Sequence, residues 1–445
     1  MKKPEPAPGF VDNSSENLKL LQKKAVQDFI ARANNRYFYW DKLKHQPMPE
    51  GIPAEDAWRL VKLSRVLAQR KPIPLTDEAG SPFTYWLPNQ ALRHLHYIDQ
   101  HAAGQMLVDE PGVHSDEKTR YMIKSIVNEA ISSSQIEGAS TTRVVAKEMI
   151  RSGRKPMNHS EQMIYNNYLT IRMLKDHLSE PLTPELVCTI HKGMTMKTLE
   201  DPAWEGSFRS TDRDMVEVHD RTAEQNILHL PPDAGQVAKL MDAMCAFANQ
   251  DDGEDFVYPV VKAILLHFWL AWVHPFMDGN GRTARALFYW YLLKKNYWLV
   301  QYLSISTVIL NARAQYDRAF LYSEADDSDL TYFIMYNLEA ICSAINEFKQ
   351  YMEGKQRERR MMASALGAYA WLNARQQAIL AKALENPSGL FTIETHKNVH
   401  GVTHQTARTD LLKLSDAGLL RKTKQGRKFV FIPDPELLEK LGRSK

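Results

Sequence analysis

One stretch limits the architecture more than any other. From Pro259 to Val273 the chain reads PVVKAILLHFWLAWV. Proline suits the first turn of a helix, where its missing N–H is not needed. The helix that follows is apolar nearly all round, so it belongs at the centre of a packed body. It is too short to span a bilayer and contains Lys262 and His267. It stops at His274-Pro275, because the residue before proline is pushed out of the α region. A second helix resumes near Arg282 and continues through TARALFYWYLLKK. Between the two lies HPFMDGNGRTAR, His274 to Arg285, a glycine-containing loop that ends on a helix N-terminus.

Most of the remaining chain also reads as helix. DEKTRYMIKSIVNEAISSSQ puts Ile123, Ile126, Val127, Ala130 and Ile131 on one face at helical spacing. SEQMIYNNYLTIRMLKDHL and DAGQVAKLMDAMCAFANQ have the same character. Between these two, WEGSFRSTDRDMVEVHD is rich in turn formers and ends in the alternating pair Val216 and Val218, which reads as a hairpin. Residues 1–17 carry Pro4, Pro6 and Pro8 among polar residues and read as a disordered tail. Residues 18–84 read as a helical extension, 85–354 as the main domain, and 355–445 as a linker helix and a further module.

That last segment differs in charge. The whole chain is +3, but Lys355 to Lys445 holds 17 basic against 8 acidic residues (+9), leaving 39 against 45 (−6) elsewhere. Such a split points to a separate polyanion-facing module. The three cysteines, Cys188, Cys245 and Cys342, are far apart and sit in helical apolar patterns. They read as reduced core thiols, with neither a disulfide framework nor a cysteine metal site. The N-terminus has no apolar core of signal-peptide length. The expected location is the cytoplasm, with no membrane partner.

The loop has a definite chemistry. A helix N-terminus exposes unpaired backbone N–H groups and the positive end of the helix dipole, which together attract anions. Gly279 and Gly281 let the backbone approach a ligand without a Cβ in the way. Arg282 and Arg285, one turn apart, carry forked donors for phosphate oxygens. Asp278 offers a hard oxygen suited to Mg²⁺, and Asn280 can donate to phosphate. His274, at the end of a buried helix, titrates near neutrality and suits general base work. The set fits phosphate-centred transfer. No GxxxxGK[ST] is present, so it is not a Walker loop.

His274 to Arg285 resembles the Fic family pattern H-P-F-x-[DE]-G-N-G-R-x-x-R at every specified position. The resemblance extends over roughly residues 85 to 345. WEGSFRS…VEV is similar to the family's flap, and HLPPDAGQVAKLMDAM to the stretch after it. EAISSSQIEGASTT is similar to the inhibitory segment [ST]-x-x-x-E-[GN], with Ser133, Glu137 and Gly138 in the matching places, on an inhibitory helix of about 118–138. The implied fold is a mainly α Fic core with a β-hairpin flap. The implied activity is transfer of AMP from ATP to a Tyr, Thr or Ser hydroxyl of a target protein or of the chain itself.

The resemblance implies a role for each matching residue. His274 would activate the hydroxyl. Asp278 would hold Mg²⁺, or Mn²⁺ in its place, across the α- and β-phosphates. Gly279, Asn280, Gly281 and Arg282 would form the anion site, and Arg285 would grip the γ-phosphate. Glu137, paired with Arg285, would block the productive ATP pose. Val216, Glu217, Val218 and His219 would clamp the target by strand-like pairing, and Tyr316 would contact the adenosine. The same glutamate serves AMP removal in some relatives, so the direction stays open. A phosphotransferase relative has a basic residue where this chain has Gly281, which favours the α-phosphate as the reacting group.

The C-terminal module reads as three helices and a basic hairpin, the outline of an α+β winged helix-turn-helix. TARTDLLKLSDAGLL resembles the winged helix domains of transcription regulators. Thr403, Gln405, Thr406 and Arg408 would lie on the recognition helix, and Lys422, Lys424, Arg427 and Lys428 on the wing, where they fit DNA contact. The rival expectation from this module is a DNA-binding regulator in which the Fic core is a sensor or self-modifying switch. A homodimer is the remaining partner expectation.

Overall fold

The structure, a computed structural model, describes residues 3–9, 19–68, 70–77, 79–103, 115–210, 216–219, 226–250, 256–367, 371–385, 389–425 and 428–442. The chain divides into two compact units, Met1–Phe348 and Lys349–Lys445. The extension and the main domain, separated at residue 84 in the sequence reading, therefore share one unit.

That unit opens with helices α1 (Lys24–Arg36) and α2 (Ala54–Leu67), an antiparallel hairpin of β1 (Lys71–Thr76) and β2 (Pro82–Tyr85), and α3 (Asn89–Ala102). The hairpin is a departure from the all-helical expectation. Ile73, Leu75, Phe83 and Tyr85 are buried on alternate positions, the period-two signature of a strand. Pro72 and Pro74 obscured it, since proline is confined to sheet edges.

Then come α4 (Ser115–Ile136), α5 (Arg143–Ser152), α6 (His159–Met173) and α7 (Pro184–Thr195). A short antiparallel pair follows, β3 (Val218–His219) and β4 (Ile227–His229), which is the described part of the expected flap. The unit continues through α8 (Ala234–Asn249), α9 (Pro259–Val273), α10 (Asn280–Lys294), α11 (Ile305–Asn311), α12 (Arg313–Ala325) and α13 (Thr331–Gly367), the last of which runs past the division between units.

Helix α9 is central, as its composition requires. Every residue from Val260 to Leu270 is buried, and α10 packs along it. Fully burying a side chain such as Leu265 or Phe268 contributes about 1.5–3 kcal/mol each. Among the described residues no helix is long and apolar enough to cross a membrane. All three cysteines are free, and burial pushes the Cys245 and Cys342 thiols up to about 12.

The extension is tied to the core by buried polar groups. Arg65 is fully buried and donates to Asn34 Oδ1 (2.9 Å), the Phe38 carbonyl (2.9 Å) and the Tyr332 hydroxyl (2.7 Å). Lys62 donates to Asp326 at 2.7 Å and the Tyr37 hydroxyl to Asp329 at 2.6 Å. Residues 3–9 are held as well, against the expectation of disorder. The Glu5 carbonyl accepts from the Tyr39 hydroxyl (3.0 Å), and its carboxylate accepts from Trp40 Nε1 (3.2 Å) and Lys44. Three prolines leave this segment little chain entropy to lose on docking. The rest of the expected tail lies outside the described residues.

The second unit contains α14 (Ala374–Glu385), α15 (Ile393–His400), α16 (His404–Asp416), a hairpin of β5 (Leu420–Gln425) and β6 (Lys428–Pro433), and α17 (Leu437–Gly442). The hairpin pairs without a slip from Leu420–Pro433 to Gln425–Lys428. Leu380, Leu411, Leu414, Leu420 and Phe431 form its core. Buried Asp410 ties the helices together. It accepts from Asn373 (2.9 Å) and Arg375 (2.7 Å) and meets His396 Nε2 at 3.1 Å.

Candidate active site

His274 ends α9 in a left-handed conformation, φ 49° and ψ 57°. The sequence reading anticipated an ordinary break before proline, whereas this backbone state costs a non-glycine residue about 1–3 kcal/mol. Arg209 holds it there. Buried Arg209 donates through Nε to the His274 carbonyl (2.8 Å) and through Nη2 to the carbonyls of Val273 (3.0 Å) and Pro232 (2.5 Å). A cation on the terminal carbonyls also complements the negative end of the α9 dipole. Arg209 lies within WEGSFRS, whose sequence alone signals no such role. Nothing in local spacing announces a guanidinium that reaches a helix end 65 residues away.

The imidazole of His274 is fixed by one bond. Its Nδ1 lies 3.2 Å from the Ala271 carbonyl. That oxygen only accepts, so Nδ1 carries the proton and Nε2 the lone pair. Burial pushes the His274 pKa down to about 4; the Ala271 bond opposes this, while His229 and Arg209 add to it. The ring is therefore neutral across the physiological range.

The loop after His274 is stapled by its own side chains. Asn280 Nδ2 donates to the Phe276 carbonyl (2.8 Å), and its Oδ1 accepts from the Phe276 N–H (2.9 Å). The turn takes the Asn280 oxygen and one N–H of its amide; the second N–H is the one left to serve the expected phosphate contact. His191, which no motif in the sequence marks, holds the loop from outside. Its ring stacks on Phe276 with centroids 3.6 Å apart and planes 1° from parallel. Nδ1 accepts from the Gly206 N–H (3.0 Å), so Nε2–H donates to the Asp278 carbonyl (2.8 Å). Burial pushes its pKa down to about 4, which preserves that neutral form. Gly279 has φ +80°, and a Cβ there would stand 2.5 Å from Thr195 Cγ2.

Helix α10 starts at Asn280, slightly earlier than read from the sequence. Arg282 is 1% exposed. Its Nη1 donates to the Met194 carbonyl (2.9 Å), while Nε and Nη2 are buried with no hydrogen-bond partner. Leaving buried charged donors unmade is expensive, and an anion at the helix N-terminus would satisfy them. Asp278 Oδ1 accepts from the Gly279 N–H at 2.5 Å, and Oδ2 lies 3.7 Å from Arg282 Nη2, with the side chain 65% exposed. One exposed carboxylate beside an anion site suits Mg²⁺, which binds through one or two carboxylates plus substrate phosphates.

Arg285 is buried and faces α4. Its Nε donates to Ser133 Oγ (2.9 Å), and Nη2 to the Ser133 carbonyl (2.9 Å) and to Glu137 Oε1 (2.7 Å). Burial alone would raise the Glu137 pKa, but the charge and hydrogen bond of Arg285, with Arg313 and Arg282, outweigh it and hold the carboxyl below its ordinary value. Gly138, φ +102°, turns the chain after the glutamate. Gly281 makes room for it, since a Cβ there would stand 2.3 Å from Glu137 Oε1. Further back on α4, buried Glu129 accepts from the Tyr289 hydroxyl (2.8 Å) and the Ser306 N–H (2.9 Å).

The remaining candidates fall in different places. Val216 and Glu217 precede β3, while Val218 and His219 form it and pair with His229 and Ile227. Residues 211–215 and 220–225 of that region lie outside the described residues. Tyr316 is a core residue and not an open nucleoside contact. It is 5% exposed, packs against Phe320 and Phe333, and its hydroxyl meets His267 Nε2 at 2.8 Å. In the second unit Thr403 caps α16, accepting from the Thr406 N–H (3.2 Å), so its hydroxyl has a structural task. Gln405 and Arg408 are exposed. Lys422 and Lys424 lie over the Phe429 ring, 4.2 and 5.5 Å from its centroid. Lys428 begins β6, and Arg427 lies outside the described residues.

Residues 181–292 match the model of the Fic/DOC family. A stretch of 197 residues is 27% identical to a protein adenylyltransferase Fic of Nematostella vectensis, covering 44% of this chain and 41% of that protein. A stretch of 159 residues is 30% identical to the like-named protein of Drosophila grimshawi, covering 36% and 30%. The chain thus spans less than half the length of these curated relatives. The fold is similar to that of a Fic family protein from Desulfovibrio desulfuricans, at 18% identity and TM-score 0.53 over 82% of this chain and 98% of that one. It is also similar to Fic-1 from C. elegans, at 17% identity and TM-score 0.51 over 76% and 92%. Residues 181–292 are thus similar to the Fic/DOC family, and the fold that surrounds them is the Fic fold.

Proposed function

We propose that this chain transfers AMP from ATP to a hydroxyl side chain of a target protein, and is held down by Glu137. The observation that carries the reading is Arg282, with two buried guanidinium nitrogens that make no hydrogen bond at a helix N-terminus beside a histidine kept neutral. In the productive complex the first-turn N–H groups of α10 and Arg282 hold the phosphates, as helix N-termini do. His274 Nε2 takes the proton of the incoming Tyr, Thr or Ser hydroxyl while its oxygen bonds to the α-phosphorus. The bond from that phosphorus to the bridging oxygen breaks, and pyrophosphate leaves with the electron pair. Mg²⁺, held by Asp278, would supply neutralising charge to the phosphates.

The His274–Ala271 bond keeps the base in the right tautomer, and Arg209 keeps the ring in place. Arg285 is the partner for the γ-phosphate. With Ser133 and Glu137 on it, Nε and Nη2 are taken, and a carboxylate stands where polyphosphate would settle. The flap around Val218 and His219 would pair with the target main chain. For the second unit we infer a winged helix that contacts DNA through Gln405, Arg408, Lys422 and Lys424.

The test is incubation of the chain, Glu137→Gly and His274→Ala with α-labelled ATP and a cell lysate. Label on protein should rise with the first substitution and vanish with the second. Label that follows only γ-labelled ATP sinks AMP transfer in favour of phosphotransfer. Loss of label from a pre-modified target in the presence of Glu137 favours removal. For the second unit, a salt-dependent gel-shift selection without any sequence preference counts against the regulator reading.

A further inference from the structure

His229, the last residue of β4, sits between two hydrogen-bond acceptors. Its Nε2 is 2.7 Å from the Trp272 carbonyl oxygen, and its Nδ1 is 3.0 Å from Glu324 Oε1. A carbonyl oxygen and an ionised carboxylate only accept. A neutral imidazole has one N–H, so it serves one of these partners and points a lone pair at the other. The doubly protonated ring serves both. We propose that His229 is held as an imidazolium, a cationic clamp joining β4 to α9 and α12 that positions the flap over His274; the inference rests on the AMP transfer proposed above.

The placement gives the clamp leverage. Trp272 lies two residues before His274 in the last turn of α9, and Val218 of β3 pairs with His229. The His229 side chain therefore ties the flap strands to the segment that carries the base. His229 is 12% exposed and Glu324 26%, so solvent screens the pair only in part. Charged groups nearby on the described elements have partners of their own. On β3, His219 and Glu217 meet at 3.0 Å. Beyond α12, Asp326 and Asp327 are bound by Lys62 at 2.7 and 3.1 Å. Arg209, on the Val273, His274 and Pro232 carbonyls, is the neighbouring cation. Glu324 is joined to the His229 ring at 3.0 Å.

The two histidines then require opposite protonation states. His274 works neutral, and burial pushes its pKa down to about 4. His229 works charged. A histidine stabilised by a carboxylate keeps its contribution below its ordinary pKa and loses it as pH rises through the folded value. The pH profile of transfer should therefore be bell-shaped, with the alkaline limb belonging to the His229–Glu324 pair.

The experiment uses the full chain with ¹⁵N-histidine. Ring ¹⁵N spectra are recorded against pH for the chain and for Glu324→Gln, with His229→Gln assigning the signal. Transfer of label from α-labelled ATP is followed over the same range in a Glu137→Gly background. The wild-type His229 ring should carry both protons at neutral pH. In Glu324→Gln the ring titration and the alkaline limb should move down together, with roughly a tenfold loss of rate on that limb. The loss should fall on KM for the target and leave kcat near its original value. Glu324→Asp, which keeps the carboxylate, should restore the limb. A His229 ring with one proton at neutral pH, or an alkaline limb that Glu324→Gln leaves unmoved, overturns the clamp. Absence of AMP transfer at every pH overturns the proposed function instead, and the ring spectra still decide the state of His229.

Discussion

Replacing Glu137 by Gln keeps the shape of the side chain and removes its charge. Glu137 Oε1 takes a 2.7 Å bond from Arg285 Nη2, with the arginine 3% and the glutamate 27% exposed. Two unit charges with centres roughly 4 Å apart attract by about 4 kcal/mol at an effective dielectric of about 20. The Gln oxygen still accepts a hydrogen bond, worth about 1–1.5 kcal/mol net, so the net loss is on the order of 2–3 kcal/mol. The two bonds from Arg285 to Ser133 remain, so the arginine keeps its place. At tenfold per 1.4 kcal/mol, labelling from α-labelled ATP should rise roughly 30- to 100-fold. It should return to background when His274→Ala is added. Because the Glu137 pKa is held below its ordinary value, the restraint is present throughout the neutral range and is lost only as pH falls through the lowered pKa. A Glu137→Gln rate within about threefold of the original would refute the electrostatic account. The glutamate would then be acting by bulk alone, as its close approach to Gly281 allows.

Four further outcomes are expected. Arg209→Lys keeps the charge but loses the forked geometry that caps three carbonyls, so steady-state kinetics should show kcat down about 100-fold with a smaller change in KM for ATP. Gly279→Ala forces a Cβ into a left-handed position 2.5 Å from Thr195 Cγ2. It should cost about 1–2 kcal/mol or more, read as a lower Tm and weaker stabilisation by ATP. In a Glu137→Gly background, single-turnover transfer should fall as pH drops through about 4, where His274 takes up a second proton. Asp410→Asn unbalances the site shared by Arg375, Asn373 and His396. Hydrogen exchange should quicken in α14 and α16, with about 3 kcal/mol lost from the second unit and the first unit unchanged.

The loop was readable because its logic is local. A proline after a buried helix, two glycines at a turn and two arginines one turn apart act within a dozen residues, and 3.6-residue periodicity says which way they face. The Ser133–Glu137 pair was readable for the same cause, lying one turn apart near the end of a helix. Arg209, His191 and the β1–β2 hairpin were not. Arg209 and His191 act on backbone carbonyls far along the chain, and prolines hid the alternation of the hairpin. Asn280 and Tyr316 carry structural tasks that their residue types do not announce: one amide N–H and the amide oxygen of Asn280 close its own turn, and the Tyr316 phenol packs in the aromatic core.

Local sequence thus specified the chemistry: a helix end that attracts anions, a histidine beside it, and a glutamate on a helix elsewhere. Three-dimensional packing settled how these groups are set. Glu137 lies 148 residues from Arg285, and no periodicity relates groups so distant. Burial lowered the His274 pKa, a carbonyl chose its tautomer, and Arg209 held its backbone in a left-handed state. Pairing, protonation and strain depend on which charges and dipoles come within a few ångströms in a low-dielectric interior, and folding alone brings them there.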